Sequence, residues 1–380
     1  MDVLVSKHCL VSALARTAGI ADRKSSMQIL SNVLIDARSA KEIRIAATDL
    51  NTSASGVLKG DVTLRGAVTV PAKTFYDVVK SMPDGPINVR AEGEAVQVSA
   101  GRAKFKLLGL PADDFPHIAN VDGLKFYDME TSTLAAMIER TAFSISNDET
   151  RPHLNGALFQ GDGKILRMVT TDGHRLSRVE FKIEESGYYN FAMVVPNKGI
   201  QELKRLVEDR EGMVSVASHE GSLFARRDIE VEKGAEGEKP VSAEFVLTSK
   251  LIEAEFPPYE QVIPSKHERV VVAPRMGLLE GLRRVSVVSS ERTLGVRFQF
   301  SEGQIEIVSD NPSVGQGTEV LDVAYNGAPV TIGFNARYFI DILSVLTDGE
   351  VEIELSGELD PAVVRDTSHS FVGVIMPMRI

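Results

Sequence analysis

The chain has 380 residues, 43% hydrophobic and 25% charged, with a formal net charge of −11 and a single cysteine, Cys9. That length predicts two or three domains, and one cysteine excludes an intrachain disulfide or a cysteine-based zinc cluster. No apolar run reaches the roughly 18 residues of a membrane span, and the N-terminus, Met1 to Val5, lacks the basic start and apolar stretch of a secretory signal, so a cytoplasmic address is expected.

In chain order, Leu10, Leu14 and Ala18 recur at helical spacing and predict a helix over 7–24. Asn32 to Ile35 and Ile43 to Thr48 read as strands, the second ending in an acidic turn at Asp49. Val62 to Leu64 is a further strand, and Phe75, Val78 and Val79 return to helical spacing over 73–80. Pro83-Asp84-Gly85 punctuates the chain before strands at Ile87 to Arg90 and Ala95 to Val98. The series then restarts with a helix over 134–140, strands from Gly156 and Leu166 to Asp172, and a helix over 198–205. A third passage has helices over 275–284 and 336–346, around strands from Gly295 and from Ile305 to Asp310.

These passages are copies of one unit. Asp49, Asp172 and Asp310 are 123 and 138 residues apart, and the segments starting at Pro71, Pro196 and Asn335 are 125 and 139 apart. Four elements keep one order at nearly constant offsets, which three unrelated domains would reproduce only by repeated coincidence. Each copy is α+β, with two helices and many strands. The repeat phase sets units of 1–124, 125–267 and 268–380.

A net charge of −11 argues against a nucleic-acid binder unless the charges are segregated. The six expected helices hold 14 basic and 6 acidic residues, a balance of +8 that leaves −19 elsewhere. Basic helices on an acidic remainder favour a polyanion on one face and repel it elsewhere. His174, between Asp172 and Arg175, has the look of a catalytic cluster. The chain shows no nucleophile elbow, glycine-rich phosphate loop or metal-spaced histidine pair, so a turn residue is the expectation there. Catalysis, cofactor and metal are not expected. A sequence-specific DNA binder would need a recognition helix or zinc module, and neither is visible.

With Leu154-Asn155-Gly156, Thr171-Asp172-Gly173-His174-Arg175-Leu176, Phe256-Pro257-Pro258-Tyr259, Gly333-Phe334-Asn335 and Met376-Pro377-Met378-Arg379-Ile380, the chain resembles the β subunits of bacterial DNA polymerase III, the DNA sliding clamps, from first residue to last. The resemblance implies three tandem clamp domains per chain and a homodimer closed head to tail into a six-domain ring, with helices around the hole. It implies a non-catalytic processivity factor, nucleoid-associated, that binds double-stranded DNA without sequence preference. Its other partners would be the polymerase III catalytic subunit, the clamp loader, and further polymerases and repair or ligation proteins bearing short clamp-binding peptides, with no membrane.

Carried over residue by residue, the resemblance implies a partner-peptide pocket of Leu154, Thr171, Gly173, His174, Arg175, Leu176, Pro257, Val262, Asn335, Tyr338, Leu359, Pro361, Val374, Met376, Pro377, Met378 and Arg379. Arg175, Asn335 and the Ile380 carboxylate would bond an incoming backbone. Candidate DNA contacts are Arg23, Lys24, Lys73, Lys80, Arg151, Lys198, Lys204 and Arg205, and candidate dimer contacts are Phe105, Leu107, Val287 and Val288. The chain departs from the family pattern at several places. Ser313 to Glu319 is nearly uncharged where acidic residues are usual, Lys24 replaces an arginine, and Pro152 and His153 replace aromatics. Gln261 stands for an arginine and Thr293 for an aromatic. A clamp paralogue with altered partners, or a DNA-binding protein that forms no ring, are the alternatives.

Overall fold

The computed structural model describes residues 1–39, 41–183, 188–232, 241–290 and 294–380. Among them are six α-helices: Lys7–Thr17 (α1), Ala72–Ser81 (α2), Thr131–Thr141 (α3), Asn197–Leu206 (α4), Arg275–Ser286 (α5) and Ala336–Val345 (α6). Five lie within three residues of their expected bounds at either end. The first is a correction, because α1 stops at Thr17 instead of reaching residue 24. Ala18 caps the last turn with its N–H on the Leu14 carbonyl at 2.8 Å, and Gly19 follows. Ile20 and Ala21 are buried although they lie past the helix end, which is why the apolar period runs on beyond it.

The repeat is written in the strand register. Asn32 pairs with Pro71, Gly156 with Pro196 and Gly295 with Asn335, so in each copy the same strand lies against the segment leading into the second helix. The acidic turns match in two copies. Asp49 Oδ1 accepts the N–H groups of Asn51 and Thr52 at 2.9 and 2.6 Å, and Asp172 Oδ1 those of His174 and Arg175 at 2.9 and 3.0 Å. In the third copy Asn311 takes over, accepting from Ser313 N at 3.1 Å.

The described chain forms two compact units, Met1–Leu134 with Lys198–Leu251, and Ala135–Asn197 with Ile252–Ile380. The first holds a five-stranded antiparallel sheet ordered Asp61–Leu64, Asp2–Ser6, Pro86–Glu92, Ala95–Ala100, Ala103–Leu108. Its nine-stranded sheet is continuous because Thr52–Lys59 pairs with Val241–Lys250, Ala54 lying opposite Leu247. The second unit holds a four-stranded sheet, Gly315–Asp322, Gln304–Asn311, Gly295–Ser301, Val330–Asn335, and an eight-stranded one. In the larger, Arg175–Lys182 pairs with Phe371–Ile375.

Side-chain alternation drives these sheets. Val296, Phe298 and Phe300 point inward from Gly295–Ser301 and are at most 1% exposed. Phe339, on the apolar face of α6, meets Phe298 and Phe334 at ring-centroid distances of 4.9 and 5.2 Å. Asn335 Oδ1 caps α6 by accepting the Arg337 N–H at 2.9 Å, a contact that stabilises a helix by about 1 kcal/mol. This packed aromatic core fixes α6, and with it one wall of the site below.

Candidate functional site

The site begins at the turn between strands Ile165–Thr171 and Arg175–Lys182. Besides the Asp172 bonds, Thr171 Oγ1 donates to the Arg175 carbonyl at 2.7 Å and accepts from Gly173 N at 3.1 Å. Gly173 has φ 89°, a left-handed conformation that strains any residue with a Cβ. Gly173 and His174 are left exposed on the turn.

Arg175 folds back and is 11% exposed. Its Nε donates to Asp172 Oδ2 at 2.9 Å, one Nη to Asp341 Oδ2 at 2.7 Å and the other to the Phe143 carbonyl at 2.5 Å. Its Cζ lies 4.6 Å from the Tyr338 ring centroid and 5.4 Å from that of Phe143, within cation–π range. The guanidinium expected to meet an incoming backbone thus has three N–H groups committed inside the chain. Burial, and then the Asp172 and Asp341 carboxylates, push the Tyr338 hydroxyl pKa up, so Tyr338 stays a neutral donor.

The C-terminal segment is seated on this turn. Leu176 pairs with Val374 and Arg175 with Ile375. Beyond the strand, Met376 N donates to the His174 carbonyl at 2.9 Å and Met378 N to the Gly333 carbonyl at 2.8 Å. Gly333 admits this approach by lacking a side chain, because a Cβ there would lie 2.5 Å from the Met378 oxygen. The backbone is held while apolar side chains stay open: Met376 is 39% exposed, Val262 43% and Leu359 71%. Arg379 is exposed too, and Thr171, Pro257, Asn335, Tyr338, Pro361, Pro377 and Met378 are half-buried. Leu154, Leu176 and Val374 are core residues. Leu176 and Val374 belong to a buried cluster with Val363 and Tyr259. Gln261 is exposed beside Val262, and Thr293 lies outside the described residues. Sequence reasoning missed Phe143 and Asp341. Asp341 stands four residues after Arg337 and three after Tyr338, a helical spacing that marks one face of α6.

The basic candidates divide into tethered and open groups. Lys198 Nζ donates to Asp49 Oδ2 and, at 3.4 Å, to the Ile20 carbonyl. Burial alone would raise the Asp49 pKa, but hydrogen bonds from Lys198 and the Thr52 and Asn51 N–H groups outweigh it and hold the carboxyl below its usual range. Arg151 Nε meets Asp148 Oδ2 at 2.8 Å, and bonds from Thr150 and Arg151 bring Asp148 down to about 2. Arg205 pairs with Glu202 at 2.5 Å. Arg23, Lys24, Lys73, Lys80 and Lys204 are exposed and carry no ion pair among the described residues. Arg23 and Lys24 sit in the loop after α1, which corrects their expected place on a helix. Counted on the observed helices, basic residues number twelve and acidic five, a balance of +7 that leaves −18 for the rest. The segregation survives the correction.

The dimer candidates lie at sheet ends. Phe105, 42% exposed, and the half-buried Leu107 occupy Ala103–Leu108, the terminal strand of the five-stranded sheet. Leu108 on the same strand is 77% exposed and was not foreseen. Val287 is 80% exposed at the end of α5, and Val288 is half-buried. Val288 packs against Gly317 of Gly315–Asp322, the terminal strand of the four-stranded sheet. Glu319 on that strand is held by Arg284 of its own chain at 2.6 and 3.1 Å.

Three family models match in tandem: the N-terminal domain of the DNA polymerase III β subunit over residues 1–119, the central domain over 128–258 and the C-terminal domain over 260–379. The β sliding clamp of Pseudomonas putida is 33% identical, with 100% of both chains covered. The DNA polymerase III subunit β of Pseudomonas aeruginosa matches over 100% of both chains at 33% identity and a TM-score of 0.90. A sliding clamp of the same organism bound to griselimycin gives the same identity, coverage and TM-score. No helix among the described residues is long and apolar enough to cross a membrane.

Proposed function

The chain belongs to the DNA polymerase III β subunit family, the sliding clamps, and from that premise we propose that two copies close into a ring around duplex DNA and collect partners in the cleft described above. As a family member it is a non-catalytic processivity factor, and it works as a tether. A closed ring keeps its hold without gripping bases, because phosphate contacts carry no sequence information. A polymerase bound to the ring then faces DNA at high effective concentration. The repeats 1–124, 125–267 and 268–380 are read as the three clamp domains of each copy, and the working address as the cytoplasmic nucleoid.

The observation that carries the partner reading is the seated tail. Met376 is hydrogen-bonded to the turn before Arg175–Lys182 and Met378 to Gly333 within Val330–Asn335, while Met376, Val262 and Leu359 present apolar surface. Flexible methionine and aliphatic side chains accept many sequences, as a shared docking cleft for polymerases, the clamp loader and repair or ligation proteins requires. Deleting Met376 to Ile380 is expected to abolish binding of the clamp-binding peptide of the polymerase III catalytic subunit and leave the dimer intact. Unchanged affinity in that deletion would remove the assignment.

For the DNA face, Arg23, Lys24, Lys73, Lys80 and Lys204 are the open cations, and Arg151, Lys198 and Arg205 contribute once their internal partners are exchanged for phosphate. For the dimer, the exposed Phe105 on one unpaired sheet edge and Val287 beside another supply apolar surface to opposite ends of a head-to-tail contact. Glu319 is neutralised within its own chain, so the joint is held mainly by apolar contact.

A further inference from the structure

We propose that Arg175 is a positioning residue of the partner cleft and that Asp341, on α6, sets the cleft's affinity through it; this rests on the peptide-pocket reading above. One guanidinium ties together three segments remote in sequence. Through Asp172 it holds the 172–175 turn, whose His174 carbonyl anchors Met376. Through Asp341 it holds α6, which carries Tyr338 one turn earlier. Through the Phe143 carbonyl it holds the segment after α3. Tyr338 and Phe143 present their ring faces to the same cation. Arg175 is 11% exposed, against 19% for Asp172 and 17% for Asp341, so all three charges are largely withdrawn from water, where such contacts are strongest.

Asp341 has a second partner. Its Oδ1 accepts from Arg337 Nε at 2.9 Å while Oδ2 serves Arg175. The carboxylate is therefore pinned at both oxygens and faces Arg175 in one orientation. Removing its charge leaves Arg175 with one carboxylate and frees the turn to rotate against α6. The tail that rests on His174 then moves relative to Tyr338. A planar fork is needed for this role, because a lysine ammonium reaches only one or two of the three acceptors.

The test is the affinity of the full-length dimer for a fluorescein-labelled clamp-binding peptide from its own polymerase III catalytic subunit, read by anisotropy. Asp341→Asn is expected to weaken binding about tenfold, and Asp341→Glu to restore it to within about threefold, with the melting temperatures of the two variants alike. Arg175→Lys is expected to behave as Arg175→Ala does. The double variant Arg175→Ala with Asp341→Asn should bind no worse than Arg175→Ala alone, since the two act as one unit. Parent affinity in Asp341→Asn, or losses that add in the double variant, would overturn the proposal and make Arg175 a direct peptide ligand. If Asp341→Asn fails to fold, Asp172→Asn is measured against the same scale and must show the same loss. Deleting Met376 to Ile380 separates the two claims. If the deletion abolishes binding while Asp341→Asn does not, the positioning role fails and the pocket stands.

Discussion

Adding a methyl group at Gly333, which is not itself one of the proposed pocket residues, perturbs the tail from beneath. Gly333 lies in strand Val330–Asn335 opposite Arg297, at a backbone conformation open to alanine, so Gly333→Ala leaves the sheet intact and by propensity favours it slightly. The new Cβ would fall 2.5 Å from the Met378 oxygen and 2.8 Å from Ile380 Cδ1. Ordinary contact needs the tail to retreat by roughly an ångström. That retreat removes the 2.8 Å bond from Met378 N to the Gly333 carbonyl, a loss of about 1 kcal/mol. Apolar contact of the half-buried Met378 and the 61% exposed Ile380 contributes about another 1 kcal/mol. A loss of about 2 kcal/mol in tail docking lowers the competent population up to roughly thirtyfold, and the apparent peptide affinity with it. The assay is peptide anisotropy together with hydrogen exchange at the Met376 and Met378 amides. Parent affinity, with both amides protected as in the parent chain, would refute the reasoning.

Other perturbations reach the remaining surfaces. Converting Lys73, Lys80 and Lys204 together to Glu is expected to impair retention on DNA and to reduce the salt dependence of binding by up to about three units of slope, with no change in sequence preference; unaltered salt dependence would show the face to be wrongly assigned. Val287→Asp is expected to leave the melting temperature within about 2 °C, because the side chain is 80% exposed, while sedimentation shows at least about tenfold weaker dimerisation; an unchanged dimer would exclude Val287 from the joint. Asp49, depressed by Lys198 and two backbone N–H groups, contributes stability that is fully present above the ordinary carboxylate pKa of about 4 and fades as pH falls through its lower folded value. Asp49→Asn should therefore flatten the acid limb of the stability–pH curve below about pH 4, and a limb of unchanged steepness would contradict the pairing.

The architecture was legible wherever a pattern repeats locally. Asn32, Gly156 and Gly295 open equivalent strands, and with the acidic turns, the Pro71, Pro196 and Asn335 segments and the leading helices they located the three copies. The end of α1 was not legible, since Ile20 and Ala21 are buried by tertiary packing and keep a helical period alive past Thr17. The third acidic turn also misled, because Asn311 serves where Asp310 was expected. At the cleft, resemblance supplied the residues and the structure sorted them. Leu154, Leu176 and Val374 are buried, a distinction composition cannot draw, since an aliphatic side chain suits a core and a pocket equally. The Arg175–Asp341 bond spans 166 residues, and no spacing rule connects two charges so far apart. Only the fold brings α6 to the turn.

The central claim is topological, and retention on a closed circle tests it most directly. The chain is loaded by a clamp loader onto nicked circular duplex, the complex is isolated, and half of it is linearised by a single restriction cut. A ring that encircles DNA stays on the circles and slides off the free ends, so bound protein persists in the uncut half and is lost from the cut half. Equal retention on both, or release from both at one rate, would mean that the chain grips DNA by surface contact, and the account would fail.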